Sequence, residues 1–60
     1  MKTTNKPKQI EYEHVELILR EANAHGLHWE VDTHAKMLIN KKPEINIVEA
    51  YQMAYEEWVK

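Results

Sequence analysis

Residues 43–58 read PEINIVEAYQMAYEEW and contain the clearest structural signal of the chain. Asn46 is a preferred residue for the N-cap of a helix, and Glu49 follows three positions later, as in a capping box. The two side chains can satisfy backbone amides that the first turn of a helix leaves without partners. The pattern predicts a helix over about residues 47–59, which carries three aromatic residues: Tyr51, Tyr55 and Trp58.

An earlier helix is predicted over about residues 9–25. Apolar residues recur in it at three- and four-residue steps and therefore share one face: Tyr12, Val15, Ile18, Leu19 and Ala22. Gly26 is the only glycine of the chain, and it stands where a helix commonly ends with a positive φ. Leu27 follows it in the position of a Schellman motif, so the pattern predicts a turn here.

A middle helix is predicted over about residues 30–41. Its apolar face consists of Val31, Ala35, Leu38 and Ile39. No Ser, Thr, Asn or Asp stands between Gly26 and Asp32, so the candidates for its N-cap are His28, Trp29 and Asp32. Pro43 disfavours helical conformation at Lys42, and the helix is expected to end there.

These elements predict an all-α protein, a small three-helix bundle formed by residues 9–60 as one domain. Sixty residues without a cysteine allow no second domain and no disulfide. Three of the eight basic residues lie in residues 1–8, which we expect to form a flexible polar tail. The remaining five basic residues face ten acidic ones in residues 9–60, a net charge of −5. A phosphate backbone is a poor partner for so acidic a body.

The predicted helices carry more apolar surface than one core requires. In the third helix, apolar residues cover about half of the circumference, whereas a face that packs on a core needs little more than about 100°. In the first helix, Ile10 and Leu17 point away from the apolar stripe. Either the third helix packs on two sides, or the protein presents an apolar patch to a second copy or to another protein.

The aromatic composition favours a contact surface. The chain has two Trp, three Tyr and no Phe, so every aromatic side chain has a polar group. Trp, Tyr and Met are enriched at protein interfaces. The candidate interface residues are Leu17, Trp29, Met37, Tyr51, Met53, Tyr55 and Trp58. The alternative for the aromatic residues of the third helix is that they close the core.

Other kinds of site find less support in the sequence. A divalent-metal site is conceivable from four residues: His25, His28, Glu30 and His34. The chain has neither an HExxH motif nor a cysteine, so we expect ordinary surface histidines, no metal and no cofactor. It also has no serine or cysteine nucleophile, and we expect no catalytic residue and no enzymatic activity.

A helix-turn-helix DNA-binding module is a further alternative. Ala22, Gly26 and Leu27 have the spacing of the small residue, turn glycine and apolar residue of that motif. An apolar residue is usual six positions after the glycine, where this chain has Asp32. The would-be recognition helix also begins with acidic residues and no arginine, which disfavours binding to phosphates.

The sequence therefore favours a small non-enzymatic protein that binds another protein stoichiometrically through a helix face. Its glutamates favour a partner with a basic rim. A structural homodimer without an exposed patch is the main alternative. We expect no nucleic-acid, small-molecule or membrane ligand and a cytoplasmic location, because no apolar run approaches the roughly 18 residues of a membrane span and no signal peptide is evident. A chain of this size without a catalytic constellation is compatible by analogy with an accessory protein of a phage or mobile element.

Overall fold

The computed structural model describes residues 9–59, which form three helices. Their bounds are α1, Gln9–Ala24; α2, His28–Lys41; and α3, Ile47–Trp58. Residues 9–59 contain no strand. The predicted all-α three-helix bundle is therefore confirmed, and its helix bounds are accurate to within two residues. The predicted polar tail, residues 1–8, lies outside the described residues.

The turn between α1 and α2 is the predicted Schellman motif. The amide of Leu27 donates to the carbonyl of Ala22 at 2.8 Å, and the amide of Gly26 donates to the carbonyl of Asn23 at 2.9 Å. Gly26 has a φ of 73°, and no other described residue has a positive φ. The glycine supplies a left-handed conformation that a side chain would oppose.

The start of α2 differs from the prediction. The helix begins at His28 rather than near residue 30, and its N-cap is Leu27, which makes no side-chain capping hydrogen bond. Three candidates for the cap, His28, Trp29 and Asp32, are therefore wrong. The reason is the preceding turn: once the Leu27 amide has bonded back to α1, the Leu27 carbonyl accepts from the amide of Val31 at 3.0 Å, and the new helix starts at once.

α3 begins at Ile47 with Asn46 as its N-cap, as predicted, but among the described residues the Glu49 side chain does not make the reciprocal bond of a capping box. Oδ1 of Asn46 accepts hydrogen bonds from the amides of Val48 at 2.9 Å and Glu49 at 3.2 Å. Nδ2 of the same side chain donates to Oε2 of Glu11 at 3.0 Å. This second bond brings the start of α3 to the start of α1.

His25, just after α1, contacts Tyr55 near the end of α3, so the two helices run in the same direction. Asp32, near the start of α2, bonds to Tyr51 rather than to the start of α3, so α2 runs in the opposite direction.

The core is small and rich in alanine. Its buried residues are Val15, Ile18, Ala22, Val31, Ala35, Ala50, Tyr51 and Ala54. Val31 is the largest side chain that is fully buried. Three members of the predicted α1 stripe are buried, but Tyr12 is 49% exposed, which corrects its placement in the core. Tyr12 lies in the first turn of α1, at the end of the bundle, where few side chains remain to cover it.

Candidate functional site

A minority of the large apolar side chains of the described residues lies at the surface. Seven are exposed: Ile10, Tyr12, Leu17, Trp29, Met37, Met53 and Trp58. Five of these belong to the predicted interface set, and Trp29 is the most exposed, at 74%. Scattered exposed apolar residues are normal on a protein surface, so their grouping decides what they can do.

Tyr51 does not belong to that surface. It is 5% exposed, and its hydroxyl donates to Oδ1 of Asp32 at 2.8 Å. Its prediction as an interface residue is corrected, and the alternative that it closes the core applies. Tyr55 is half-buried and lies edge-on to the ring of His25, with 6.4 Å between the ring centroids.

The partners of Tyr51 form a short polar chain between α2 and α3. Nζ of Lys36 lies 3.0 Å from Oδ2 of Asp32, so each carboxylate oxygen has a partner. Burial by itself raises the pKa of Asp32, but the hydrogen bonds from Lys36 and Tyr51 outweigh it and the pKa lies below the ordinary value of 3.8. Burial and the carboxylate raise the pKa of Tyr51. Both groups are held in their usual charge states, which suits a structural contact.

The first surface that gathers predicted residues lies along α2 and α3. A concavity of about 380 Å³ is lined by Trp29, Glu30, Thr33, His34, Met37 and Trp58. A second concavity, of about 980 Å³, is lined by Leu38, Lys41, Lys42, Glu44, Ile45, Asn46, Glu49 and Met53. His34 and Leu38 are four residues apart, as are Met37 and Lys41, so the two concavities follow one side of α2. We call this surface the α2–α3 seam.

The second surface, the α1–α3 groove, lies between α1 and α3. It is a concavity of about 260 Å³ lined by His14, Leu17, Ile18, Glu21, Gln52 and Tyr55. It brings together Leu17, which is 57% exposed, and half-buried Tyr55. Ile10 precedes Leu17 by two helical turns and therefore lies on the same side of α1. His14 and Gln52 were not among the predicted site residues, although three-residue spacing from Leu17 and from Tyr55 could have indicated them.

The charges of the α1–α3 groove are acidic. Glu21 lines it, and Nε2 of Gln52 donates to Oε2 of Glu56 at 3.2 Å. No lysine or arginine of the described residues lines it. Arg20 is the only basic residue of α1, and it lines a different concavity, of about 470 Å³, together with Glu16, Leu19, Asn23 and His28. The single arginine of α1 thus lines a concavity other than the α1–α3 groove, although it follows Leu17 by three residues.

The histidines are distributed over different surfaces. His14 lines the α1–α3 groove, and His34 lines the α2–α3 seam. His25 contacts the ring of Tyr55, and His28 lies beside Arg20. Within residues 9–59, no group of three or more His, Asp or Glu side chains is placed so that it could hold a metal ion. The arrangement considered from the sequence is therefore not assembled.

No protein-family model matches the chain, and neither curated proteins nor solved structures give a significant match. Among the helices of residues 9–59, none has the length and apolar character required to cross a membrane.

Proposed function

We propose that this chain is a non-enzymatic binding protein that holds a basic amphipathic helix of another protein in the α1–α3 groove. One observation carries the proposal. Leu17 is 57% exposed beside Tyr55, in a groove whose charged lining is acidic. An apolar floor with charge of one sign at its edge is complementary to a helix with an apolar stripe and basic flanks.

The charges of the two helices support a basic partner. The acidic residues of α1 are Glu11, Glu13, Glu16 and Glu21, against the single Arg20. Those of α3 are Glu49, Glu56 and Glu57, and α3 has no basic residue. Clustered charge of one sign raises the association rate of an oppositely charged partner and disfavours partners of like charge.

The dimensions of the groove suit a helix. α1 and α3 contain 16 and 12 residues, and at about 1.5 Å per residue they are roughly 24 and 18 Å long. The lining of the groove extends from His14 to Glu21 on α1, a rise of roughly 10 Å, which matches about two turns of a docked helix. Ile10 lies outside this lining, two turns before Leu17 on the same side of α1. A docked helix uses apolar residues at comparable three-, four- and seven-residue spacings.

A pair of synthetic helices tests the proposal. The first is a fluorescently labelled 18-residue amphipathic peptide of leucine and lysine, and the second has glutamate in place of lysine. We expect the lysine peptide to bind, more weakly as salt is raised, and the glutamate peptide not to bind. Fluorescence anisotropy measures both affinities. Equal binding of the two peptides would mean that charge does not select the partner.

Variants then locate the binding site. We expect Leu17→Ala to weaken binding of the lysine peptide by about tenfold, which corresponds to roughly 1.4 kcal/mol. Glu21→Lys alone should weaken binding of the lysine peptide more than Leu17→Ala does, because the new lysine repels the lysines of the peptide. Tyr12→Ala is the matched control, because Tyr12 is a similarly exposed apolar residue of α1 that does not line the groove. If Tyr12→Ala weakened binding as much as Leu17→Ala, the groove would not be the site.

A further inference from the structure

We propose that the α2–α3 seam is the interface with a second copy of this chain, in a dimer with two-fold symmetry. The proposal concerns a different surface from the α1–α3 groove, so either proposal can fail without the other. Three observations point to a second copy as the partner at the seam. They are the spacing of the exposed residues of α2, the order of the charges along α2 and the small size of the core of the bundle.

The exposed residues of α2 form a ridge that can pair with itself. Trp29, Thr33, Met37 and Lys41 are exposed and follow one another at four-residue steps. Residues at four-residue steps form one row along the surface of a helix. A two-fold axis between Thr33 and Met37 would place Trp29 of each copy against Lys41 of the other, and Met37 against Thr33.

The contacts in such a pair are chemically matched. A lysine ammonium over the face of a tryptophan ring is a favourable cation–π pair, and the methylene stem of lysine covers apolar surface. The sulfur-containing chain of Met37 and the methyl group of Thr33 fill the centre. Each contact occurs twice, because the interface of a two-fold dimer uses the same patch on both copies.

The charge order along α2 is also self-complementary in this arrangement. Glu30 lies at one end of the ridge, and Lys41 and Lys42 lie at the other. Antiparallel pairing of two α2 helices brings each Glu30 next to Lys41 of the other copy. Glu44 and Glu49 line the same end as Lys41 and Lys42, so the pairing rests on the contact of Glu30 with Lys41 and not on the net charge of that end.

The small core explains why a dimer would be more stable than the monomer. Four of the eight buried core residues are alanines, and the fully buried side chains include nothing larger than Val31. Trp29 and Met37 on α2, with Met53 and Trp58 on α3, are at least 46% exposed along the seam. A domain of this size commonly gains stability by oligomerising. Pairing the seams would bury these residues and leave the α1–α3 groove of each copy open.

Sedimentation velocity over a wide range of protein concentration tests the dimer. We expect the wild-type chain to be dimeric and Met37→Glu to raise the dissociation constant by at least about tenfold, because it puts a charge at the centre of the interface. Met37→Glu preserves the helix, since the new glutamate precedes Lys41 by four residues, a stabilising order. Circular dichroism checks that the variant is folded.

The matched control is Leu17→Glu, which puts the same charge in the α1–α3 groove. We expect it to leave dimerisation unchanged. A wild-type chain that stays monomeric at all concentrations would overturn the proposal. A dimer that is lost in Leu17→Glu but kept in Met37→Glu would also overturn it, because the copies would then meet through the other surface.

A charge exchange tests the antiparallel arrangement. Glu30→Lys and Lys41→Glu should each weaken the dimer. The double variant should recover part of the loss, because the exchanged charges again face each other across the two-fold axis although the contact of Lys41 with Trp29 is gone. Absence of any recovery in the double variant would overturn the antiparallel pairing of Glu30 with Lys41.

Discussion

The hydroxyl of Tyr51 donates a 2.8 Å hydrogen bond to Oδ1 of Asp32, and this contact joins α3 to α2 inside the bundle. Tyr51 is the largest side chain among the buried residues. Its polar end would be costly to bury without a partner. Asp32 supplies that partner. Lys36, one turn later in α2, forms an ion pair with the other oxygen of the Asp32 carboxylate.

Removal of the Tyr51 hydroxyl should destabilise the fold. We expect Tyr51→Phe to lower the free energy of unfolding by about 1–2 kcal/mol, because the aromatic ring is kept while a hydrogen bond to a charged group is lost. Urea unfolding followed by circular dichroism measures the difference. Tyr12→Phe is the control, since Tyr12 is exposed, and it should change stability by less than about 0.5 kcal/mol. Equal effects of the two variants would show that the Tyr51 bond contributes nothing.

The lowered pKa of Asp32 predicts a loss of stability in acid. The carboxylate stabilises the folded state above its ordinary pKa of 3.8, and this contribution is lost as the pH falls through the lowered pKa of the folded state. In Asp32→Asn, which cannot ionise, the decline below about pH 4 should be shallower. Urea unfolding of both proteins at pH 6 and at pH 2.5 measures it. The same decline in both would contradict the role of Asp32.

Asn46 is expected to stabilise the bundle in two ways. Asn46→Ala removes the acceptor for two amides of α3 and the bond to Glu11, and we expect a loss of about 1–2 kcal/mol. Asn46→Asp should lose less stability than Asn46→Ala, because aspartate keeps the acceptor for the α3 amides. It should still be less stable than the wild type, because its carboxylate lies against that of Glu11. Adding Glu11→Gln to Asn46→Asp should remove this repulsion and recover stability. Chemical unfolding compares the variants, and an unchanged Asn46→Asp would argue against the interhelix bond.

Gly26 offers a test of the backbone conformation alone. A Cβ at this position would meet no atom within 4 Å, so any cost of Gly26→Ala comes from its φ of 73°. We expect a loss of about 1 kcal/mol in thermal or urea unfolding. Gly26→Asn should cost less, because asparagine tolerates the left-handed region better than alanine. A stability of Gly26→Ala equal to the wild type would mean that the turn relaxes to a different conformation.

The helix ends show where local sequence is sufficient. The cap at Asn46 and the turn at Gly26 and Leu27 act within a single turn of chain, so their effects could be predicted without knowledge of the fold. The start of α2 could not be predicted in this way. It depends on the Leu27 amide bonding back to Ala22, after which no side-chain cap is required.

The candidate surfaces show where local sequence is not sufficient. Composition identified the apolar residues that exceed the needs of one core, and the exposure of Leu17 and Trp29 agrees with that prediction. It could not divide them between the α1–α3 groove and the α2–α3 seam, because that division depends on which helices are neighbours.

The sequence by itself determined three helices, the ends set by Asn46 and Gly26, and an acidic body with surplus apolar residues, because caps and periodicity act over a few residues of chain. Only the tertiary structure decided that Tyr51 belongs to the core and Leu17 to a groove. The partner of Tyr51 stands 19 positions away on another helix, and the groove walls come from opposite ends of the chain. Such neighbours are fixed by packing, and packing is not encoded in any short stretch of residues.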